Sequence, residues 1–569
     1  MIKTPISTQV AATPDPDYSP RSGTALAVRY LADRINWLSV VDTLLPWDPI
    51  RARIAPSVVL LMLVINVLTY REPLYKLETW AESLPLGLLW GDAVVASQFN
   101  DDAFGRVLDD LADYGPQLLA TVGTRMQAVR ATGTEWLHSD TTAYALFGDY
   151  PSDSTGPTAP VELTWGHTKD HRPDLKQIMA GVTMDAEGCV LAGSMLSGNT
   201  SDRRWNTDWV ERLGQDFPED FWRGRCYIAD SAMMSEPTIT QIRAIGMDWL
   251  GRLPGTFTLC EDLKTQAWAQ PVTAWEDLGT LTHGPTAKAA TYQVQTFDVM
   301  FVDQPARAFV YHSRRLDKKK EHALQQEIAR ERERLTKAAK KLAQQAFHCS
   351  EDAEAAARLI RQSLSVHWYT VAPTVASQEV PVKHRGRPKA GAPVASHRVY
   401  AVALDMTAPK PEQIQAERER RSTFILLTSK MTLDARTALQ EYKAQDHNEQ
   451  GFRWTKSPLH LGAFWLEKPQ RVTGLGYALL LALQFARFMR ALVRAALGDQ
   501  PPLVLPEQRR VQNPSETVIL DALGRLDIKR KWDGTTPWYQ WSAVLPYQRR
   551  ILEALDIPID RGFVWDPSG

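Results

Sequence analysis

Four polar residues in the stretch YKAQDHNEQGFRWTK (442–456) have types and spacing that could do chemistry on one surface. They are Tyr442, Gln445, Glu449 and Lys456, separated by three, four and seven residues. On an α-helix these offsets return side chains to one face, so the spacing predicts a helix presenting an acid beside a phenol, an amide and a cation. A solvated helix face is the competing interpretation of such a stripe.

Two further acids stand where short strands are predicted to end. Asp140 follows apolar and aromatic residues in WLHSDTT, and Asp230 has the same position in CYIADSAMM. Functional groups in open α/β sheets gather where strands end, because the backbone projects side chains into a crevice there. Either aspartate alone is more often a turn residue or a helix cap. Together with Glu449 they predict a site with three carboxylates.

Three clustered carboxylates would favour a particular chemistry. They repel one another, and they become tolerable when hard divalent cations neutralise their charge. Ligation by oxygen alone suits Mg²⁺ or Mn²⁺. Two such ions can activate a water or a 3′-hydroxyl and stabilise the leaving oxygen of a phosphodiester. The acids therefore predict phosphoryl transfer on nucleic acid.

The elements that must position these acids follow from residue periodicity. Residues 25–130 show long apolar-periodic stretches of helical type. LKQIMAGVTMDAEGCVLAGSML (175–196) predicts two strands joined by a DAEG turn, followed by a helix over 200–217 and the short strand that ends at Asp230. Strand, hairpin, helix and strand in this order indicate an α/β core.

A domain-sized insertion is predicted between that core and the helix carrying Glu449. Its first part, 250–310, alternates in the manner of strands, and the charged run over 315–346 predicts a solvated helical arm. The predicted organisation is a disordered tail (1–24), a helical N-terminal domain (25–130), a first core segment (131–249), the insertion with its basic linker (250–425), a last core segment (426–498) and a C-terminal region for dimerisation (499–569).

The motifs together resemble the DDE transposases of bacterial insertion sequences. The resemblance is to the branch whose third motif is Tyr, two residues, Arg, three residues, Glu, six residues, Lys. Tyr442, Glu449 and Lys456 match this spacing, and Gln445 stands at the arginine position. GHTKDHRPDLKQIMAGVTMD with LSGNTSD is similar to the segment between the first two acids, and LEKPQRVTGLGYALLLALQFARFM to the helix after the third. Residues 25–125 resemble the N-terminal domain of one subset.

The resemblance implies an α/β fold with an RNase H-like catalytic core, interrupted by a large insertion domain and preceded by a helical N-terminal domain that binds DNA ends. It implies Asp140, Asp230 and Glu449 as catalytic residues and as ligands of Mg²⁺ or Mn²⁺. The implied partners are double-stranded DNA, as terminal inverted repeats and as target. Because two ends must be joined, we expect a homodimer in a synaptic complex, located in the cytoplasm with the nucleoid.

Basic and aromatic residues near the acids are predicted to contact DNA, chiefly its phosphates. A basic loop follows the first acid, cations flank Glu449, and KHRGRPKAG (383–391) has the composition of a segment that enters a narrow minor groove. An exposed loop and a solvated surface are the competing interpretations, and core packing is favoured for Trp454. The predicted contacts are Tyr442, Gln445, Arg453, Lys456, Lys169, His171, Arg172, Arg385 and Arg387.

Composition limits the function classes. The chain is 44% hydrophobic and 23% charged, which is typical of folded soluble protein. Its formal net charge of -1 requires any DNA binding to use local basic patches. Its 4 cysteines lack metal-site spacing, which favours a reducing compartment. The apolar run 474–493 is interrupted by Gln484, Arg487 and Arg490, so we predict a buried helix and no membrane span.

Two other functions stay open at this point. A catalytically silent, DNA-binding descendant of a transposase would fit the replacement of the family's arginine by Gln445. A carboxylate hydrolase such as a glycosidase would need two acids and no basic flank. The three acids argue against the first alternative, and the basic loop and the spacing of the third motif argue against the second.

Overall fold

A computed structural model describes residues 18–19, 21–48, 53–69, 71–130, 135–148, 150, 161–167, 172–281, 290–313, 318–382, 396–456, 466, 468–533 and 536–559. These residues form two compact units. Unit 1 contains 1–252, 300–306 and 428–569, and unit 2 contains 253–299 and 307–427. Of the predicted disordered tail, residues 1–17 and 20 lie outside the described chain. Tyr18 and Ser19 form a short strand.

The described helices are α1 (Gly23–Arg34), α2 (Trp37–Leu44), α3 (Pro56–Leu68), α4 (Leu77–Ala81), α5 (Leu86–Trp90), α6 (Asp101–Arg130), α7 (Asp202–Asp216), α8 (Glu236–Ala244), α9 (Thr258–Ala269), α10 (Lys318–Ala343), α11 (Ser350–Ser363), α12 (Pro411–Ser422), α13 (Ala435–Lys443), α14 (Asp446–Thr455), α15 (Pro469–Leu497), α16 (Glu516–Gly524) and α17 (Pro546–Ala554). The described strands are β1 (Tyr18–Ser19), β2 (Trp136–Ala145), β3 (Gln177–Asp185), β4 (Val190–Ser197), β5 (Cys226–Ala229), β6 (Asp248–Arg252), β7 (Glu276–Leu281), β8 (Ala290–Phe301), β9 (Gln304–Ser313), β10 (Val371–Pro381), β11 (Ser396–Met406), β12 (Thr423–Thr428), β13 (Leu503–Val504), β14 (Arg510–Val511), β15 (Ile528–Asp533) and β16 (Thr536–Trp541).

Helices α1 to α6 and α15 build the apolar core of unit 1. The helical pattern predicted for 25–130 is confirmed by α1 to α6. Helix α15 contacts α3 and α6 closely. A Cβ atom at Gly474 would lie 2.0 Å from the Leu108 carbonyl oxygen, so only glycine permits this approach of α15 to α6.

Helix α15 is a buried core helix. Among the described residues it is the one helix whose length and composition would suit a membrane span, and 94% of its most apolar window is buried inside the protein. Its polar residues have internal partners: Gln484 donates to the Leu119 and Val190 carbonyls at 2.8 and 3.2 Å. The predicted buried helix is therefore confirmed.

The sheet of unit 1 has the strand order β4-β3-β2-β5-β6. β2 pairs antiparallel with β3, and β3 with β4, whereas β2 pairs parallel with β5, and β5 with β6. Every residue of β3 and of β5 is buried. The two strands joined by the DAEG turn, the helix that follows them (α7) and the strand before Asp230 (β5) confirm the predicted elements.

The C-terminal segment of unit 1 packs on its N-terminal helices and on α15. Helix α16 contacts α1 and α15, and α17 contacts α15. Strands β1, β15 and β16 form a three-stranded sheet that joins Tyr18 and Ser19 to the C-terminal segment. The dimerisation role predicted for 499–569 stays a prediction.

Unit 2 mixes strands with charged helices. Its strands follow the order β12-β9-β8-β7, and β10 pairs with β11 as a long antiparallel hairpin. The predicted charged helical arm is confirmed as α10, and Arg418 of α12 donates to Glu321 of α10 at 2.7 Å. The prediction of strands throughout 250–310 was wrong for 258–269, where α9 buries Cys260, Leu263 and Ala267 at helical spacing.

Candidate active site

Asp140 and Asp230 stand level on neighbouring parallel strands. Trp136–His138 of β2 pair residue by residue with Cys226–Ile228 of β5. Two residues further along, Asp140 lies in the middle of β2, so its predicted position at a strand end was wrong, because β2 continues to Ala145 in its pairing with β3. Asp230 directly follows β5 with an extended backbone, as predicted. Adjacent strands lie about 4.8 Å apart, so equal register brings the two acids to one place on the sheet.

Local hydrogen bonds orient both carboxylates. The Thr141 backbone N–H donates to Asp140 at 2.7 Å, and Ala232 N–H donates to Asp230 at 3.0 Å, where Asp230 caps a short 3₁₀ turn. Burial raises the pKa of Tyr227, and the negative charges of Asp230 and Asp140 raise this pKa further. The negative charges of both carboxylates therefore lie close enough to Tyr227 to raise the pKa of its phenol.

The third motif does not form one continuous helix, and the prediction of a single helix was wrong. Tyr442 belongs to α13, Gln445 directly precedes α14, which carries Glu449, and Lys456 directly follows α14. Between the helices Ala444 keeps right-handed dihedrals, but regular helix hydrogen bonding is interrupted. The strict i, i+3, i+7 face that the spacing predicts is therefore divided between two short helices.

Helix α14 is attached to the strand that carries Asp140. The side chain of Asn448 is fully buried, and its Nδ2 donates to the His138 carbonyl at 3.1 Å. Glu449, the next residue, is exposed. Within the described chain, no three acidic, histidine or cysteine side chains lie close enough together to hold a metal ion. The donor set nevertheless suits a hard cation, because two carboxylates are level on the sheet and a third stands on the attached helix.

A polar cluster, consisting of His138 of β2, Glu441 of α13 and Asn448 of α14, joins these three elements, and the Nε2 atom of Gln445, just before α14, is buried as well. The His138 ring is fully buried, with Nε2 3.7 Å from a Glu441 carboxylate oxygen. Neither ring nitrogen of His138, nor Nε2 of Gln445, has a hydrogen-bond partner among the described residues. His138, Glu441 and Asn448 were not predicted from the sequence. The signal for His138 was its place two residues before Asp140, on the same face of the strand.

Helix α13 brings Tyr442 towards Asp230. Burial raises the pKa of Tyr442, while the positive charge of Arg252 lowers it and the negative charge of Asp230 raises it. Arg252 is the last residue of β6 and was not predicted from the sequence. The phenol thus lies within electrostatic reach of one acid and one cation.

A family model described as Transposase DDE domain matches residues 152–485, more than half of the chain. The chain belongs to this transposase family. The match includes Asp230 and Glu449 and begins after Asp140. A second model, described as a domain of unknown function (DUF4277), matches residues 26–122, which hold α1 to most of α6. No curated protein matches the chain significantly.

The basic residues predicted to contact DNA occupy different settings in this transposase. Arg172 is exposed and donates to Asp174 at 2.9 and 2.7 Å, which raises the Arg172 pKa. Arg453 is exposed on α14, and Lys456 is half-buried at its end. Trp454 is buried in the apolar core, as predicted. The other predicted contacts, Lys169, His171, Arg385 and Arg387, lie outside the described residues.

Proposed function

We propose that this protein is a DDE transposase that cuts and rejoins the ends of its insertion sequence by two-metal phosphoryl transfer. The observation that carries the proposal is the equal register of Asp140 and Asp230 on parallel neighbours. The strand order β4-β3-β2-β5-β6, with three antiparallel strands followed by two parallel ones, supports an RNase H-like core. Family membership supports action on DNA over hydrolysis of a carbohydrate.

Asp140, Asp230 and Glu449 would hold Mg²⁺ or Mn²⁺. When bound, such ions supply an activated oxygen nucleophile and stabilise the leaving oxygen of the phosphodiester. The two aspartates need no rearrangement to share a ligand, because the sheet holds them together. Glu449 would approach them through a small shift of α14. The polar cluster supports this step, since its unpaired groups do not fix α14 through a complete hydrogen-bond network.

The remaining residues of the site would hold the DNA. Tyr442, Arg453 and Lys456 would contact the phosphates around the cleaved bond, and Gln445 would offer an amide where the resembled branch has an arginine. Arg172 would reach a phosphate by exchanging its partner Asp174. Lys169 and His171 in the same loop, and Arg385 and Arg387 in the basic linker, keep their predicted roles at the backbone and minor groove.

The predicted domain roles are part of the same proposal. The helical region 25–130 would bind the terminal inverted repeats, and the insertion 250–425 would help to hold the DNA ends. Joining two ends to a target requires two catalytic centres, so a homodimer in a synaptic complex is the expected assembly. The expected setting is the cytoplasm, at the nucleoid.

The test is a cleavage assay on DNA that carries the flanking ends of this protein's own gene. The wild-type chain should cut in Mg²⁺ or Mn²⁺ and lose activity in a chelator. Glu449→Gln should reduce the rate by about 10³-fold, since several kcal/mol of transition-state stabilisation depend on the metal site. Glu211→Gln, an exposed glutamate on α7, is the matched control and should cleave normally.

Each negative outcome has a defined meaning. Cleavage that survives Glu449→Gln unchanged would remove Glu449 from the catalytic site. A wild-type chain that binds the ends but never cuts them, in either metal, would favour the silent DNA-binding descendant.

A further inference from the structure

A large cavity in unit 1 lies beside α14 and is lined by arginines. Its volume is about 1080 Å³. We define the arginine cleft by the six arginines in its lining, which are Arg21, Arg71, Arg453, Arg490, Arg494 and Arg525. Five of them play no part in the catalytic proposal. The cleft therefore needs an explanation of its own.

The arginines of the cleft come from distant parts of the chain. Arg21 and Arg71 belong to the N-terminal region, Arg490 lies on α15, and Arg525 directly follows α16. Arg453 comes from α14, one helical turn after Glu449 and on the same helix face. The cleft thus begins at the helix that carries the proposed third acid and extends between the N-terminal and C-terminal segments of unit 1.

Positive charge is in excess in the cleft. Six guanidinium groups face two carboxylates, Glu516 and Asp521. Arg490 lies 3.5 Å from Glu516, and Arg525 lies 3.0 Å from Asp521. Burial lowers the pKa of Arg494, and the neighbouring Arg490 lowers it further. Cations that are partly desolvated and repel one another favour an anionic ligand.

The shape and the lining favour a nucleic-acid strand over a small anion. The arginines are spread over several elements around a cavity of about 1080 Å³, which suits several phosphates better than a single anion. Trp454 also lines the cavity, with most of its side chain buried in the apolar core. A basic groove that follows the backbone, combined with an aromatic side chain, is the usual construction of a single-strand binding site.

We propose that the arginine cleft binds the sugar–phosphate backbone of a single DNA strand that runs past α14. The inference rests on the proposed function, because that function brings DNA to Glu449. It adds a separate site, formed by the N-terminal region, α15 and α16, that retains one strand beside the catalytic helix.

The test measures binding of a fluorescent 20-nucleotide oligodeoxythymidine to the full-length chain over a series of salt concentrations. The charge-reversing double variant Arg71→Glu with Arg525→Glu should bind at least about 10-fold more weakly. Its salt slope should fall by about 1.4, because each single-strand phosphate that a cation neutralises contributes about 0.7 to the slope. Arg525→Glu alone changes an exposed side chain and should lower the slope by about 0.7. This single variant provides the test if the double variant does not fold.

The matched control is Arg204→Glu with Arg223→Glu. These two arginines are exposed in unit 1 outside the cleft and pair with Asp208 and Asp220, much as Arg525 pairs with Asp521. The control should bind the single strand within twofold of wild type. An equal weakening in the control would overturn the inference. So would a cleft variant whose affinities for duplex and single strand fall to the same extent.

The cleft and the catalytic proposal fail separately. Glu449→Gln should bind the single strand like the wild type, because it leaves the cleft intact. If cleft variants bind normally while Glu449→Gln abolishes cleavage, the cleft inference falls and the transposase proposal stands. If the cleft variants bind weakly while Glu449→Gln cleaves at the wild-type rate, the cleft inference stands and the catalytic assignment of Glu449 falls.

Discussion

The strand-borne aspartates and the helix-borne glutamate of the proposed site are held in different ways. Asp140 and Asp230 stand on paired parallel strands, where backbone hydrogen bonds set their separation. Glu449 stands on α14, a helix of 10 residues that touches β2 and is tied to it by the side chains of Asn448 and Thr455. One side of the site is fixed by the main chain, and the other by side chains.

This difference indicates where the site can adjust. A strand in the middle of a sheet cannot shift without breaking its ladder on both sides, and β5 pairs with β2 and with β6. We propose that helix α14 shifts more easily, by rearranging the polar cluster, in which several groups have no partner among the described residues. We therefore expect the aspartates to tolerate less change in side-chain length than the glutamate.

The strongest test of this comparison changes acid length at both kinds of position. Asp140→Glu and Asp230→Glu should each slow cleavage by about 100-fold or more, because a displacement of about 1 Å in a rigid site has that cost. Glu449→Asp should slow cleavage only about 10-fold, since α14 can move towards the metals. Single-turnover cleavage rates measure both effects. Equal decreases at all three positions would show that the helix is as rigid as the sheet.

The attachment of α14 gives a second, smaller effect. Asn448→Ala removes the donor to the His138 carbonyl and should cost about 1 kcal/mol of unfolding free energy. It should also slow cleavage by about 10-fold, because the attachment next to Glu449 is lost and only the hydrogen bond between Thr455 and Tyr144 still joins α14 to β2. Asn66→Ala, another buried asparagine that donates to a backbone carbonyl, is the control.

Urea unfolding and cleavage rates separate the two contributions of Asn448. The control should be less stable and keep its cleavage rate, since Asn66 lies on α3. If Asn448→Ala is destabilised but cleaves normally, the attachment is structural only.

The departure from the family motif gives a third test. Gln445→Arg restores the arginine of the resembled branch and should strengthen binding to a DNA end by a few-fold. The salt slope should become steeper by about 0.9, the contribution of one neutralised phosphate on duplex DNA. Gln445→Met keeps the length without charge and should not strengthen binding. Fluorescence anisotropy at several salt concentrations gives both values. An unchanged slope in Gln445→Arg would mean that position 445 does not face a phosphate.

The smallest expected effect concerns Lys443, a partly buried cation at the end of α13. Burial lowers the pKa of Lys443, at the end of α13, to about 8. Between this value and the ordinary lysine pKa the unfolded chain binds more protons, so the folded state gains stability as pH rises from about 8 to about 10.5. Lys443→Met should therefore stabilise the protein at pH 7, and the gain should shrink by pH 10. Urea unfolding midpoints at both pH values show whether the change in stability has the expected sign. Lys76→Met, at an exposed lysine, is the control.

The sequence by itself was enough for most element types and for the three acids. Apolar periodicity identified α6, the β3–β4 hairpin, α7 and α15, because period and burial are local properties of a segment. The polar interruptions Gln484 and Arg487 were enough to predict that α15 is a buried helix. The three acids were likewise visible without a structure, although Asp140 lies in the middle of β2 and not at its end.

Local pattern failed where the outcome depended on neighbours. Helix α9 lies in a region that alternates like strands, and the third motif is divided at Ala444, although its spacing fits one helix. Tertiary packing overrides weak local preference in such short segments. The bond between His138 and Asn448 could not be predicted from sequence either, since 310 positions separate them.

Only the tertiary structure decided how the functional groups meet. The register that brings Asp140 level with Asp230 comes from the parallel pairing of β2 with β5, across a hairpin and a helix. The arginine cleft likewise depends on segments from both ends of the chain. Residue type and hydrophobic periodicity are properties of a short segment and can be seen in the sequence. Strand register and the meeting of distant segments arise from long-range packing, which cannot be seen in a single sequence.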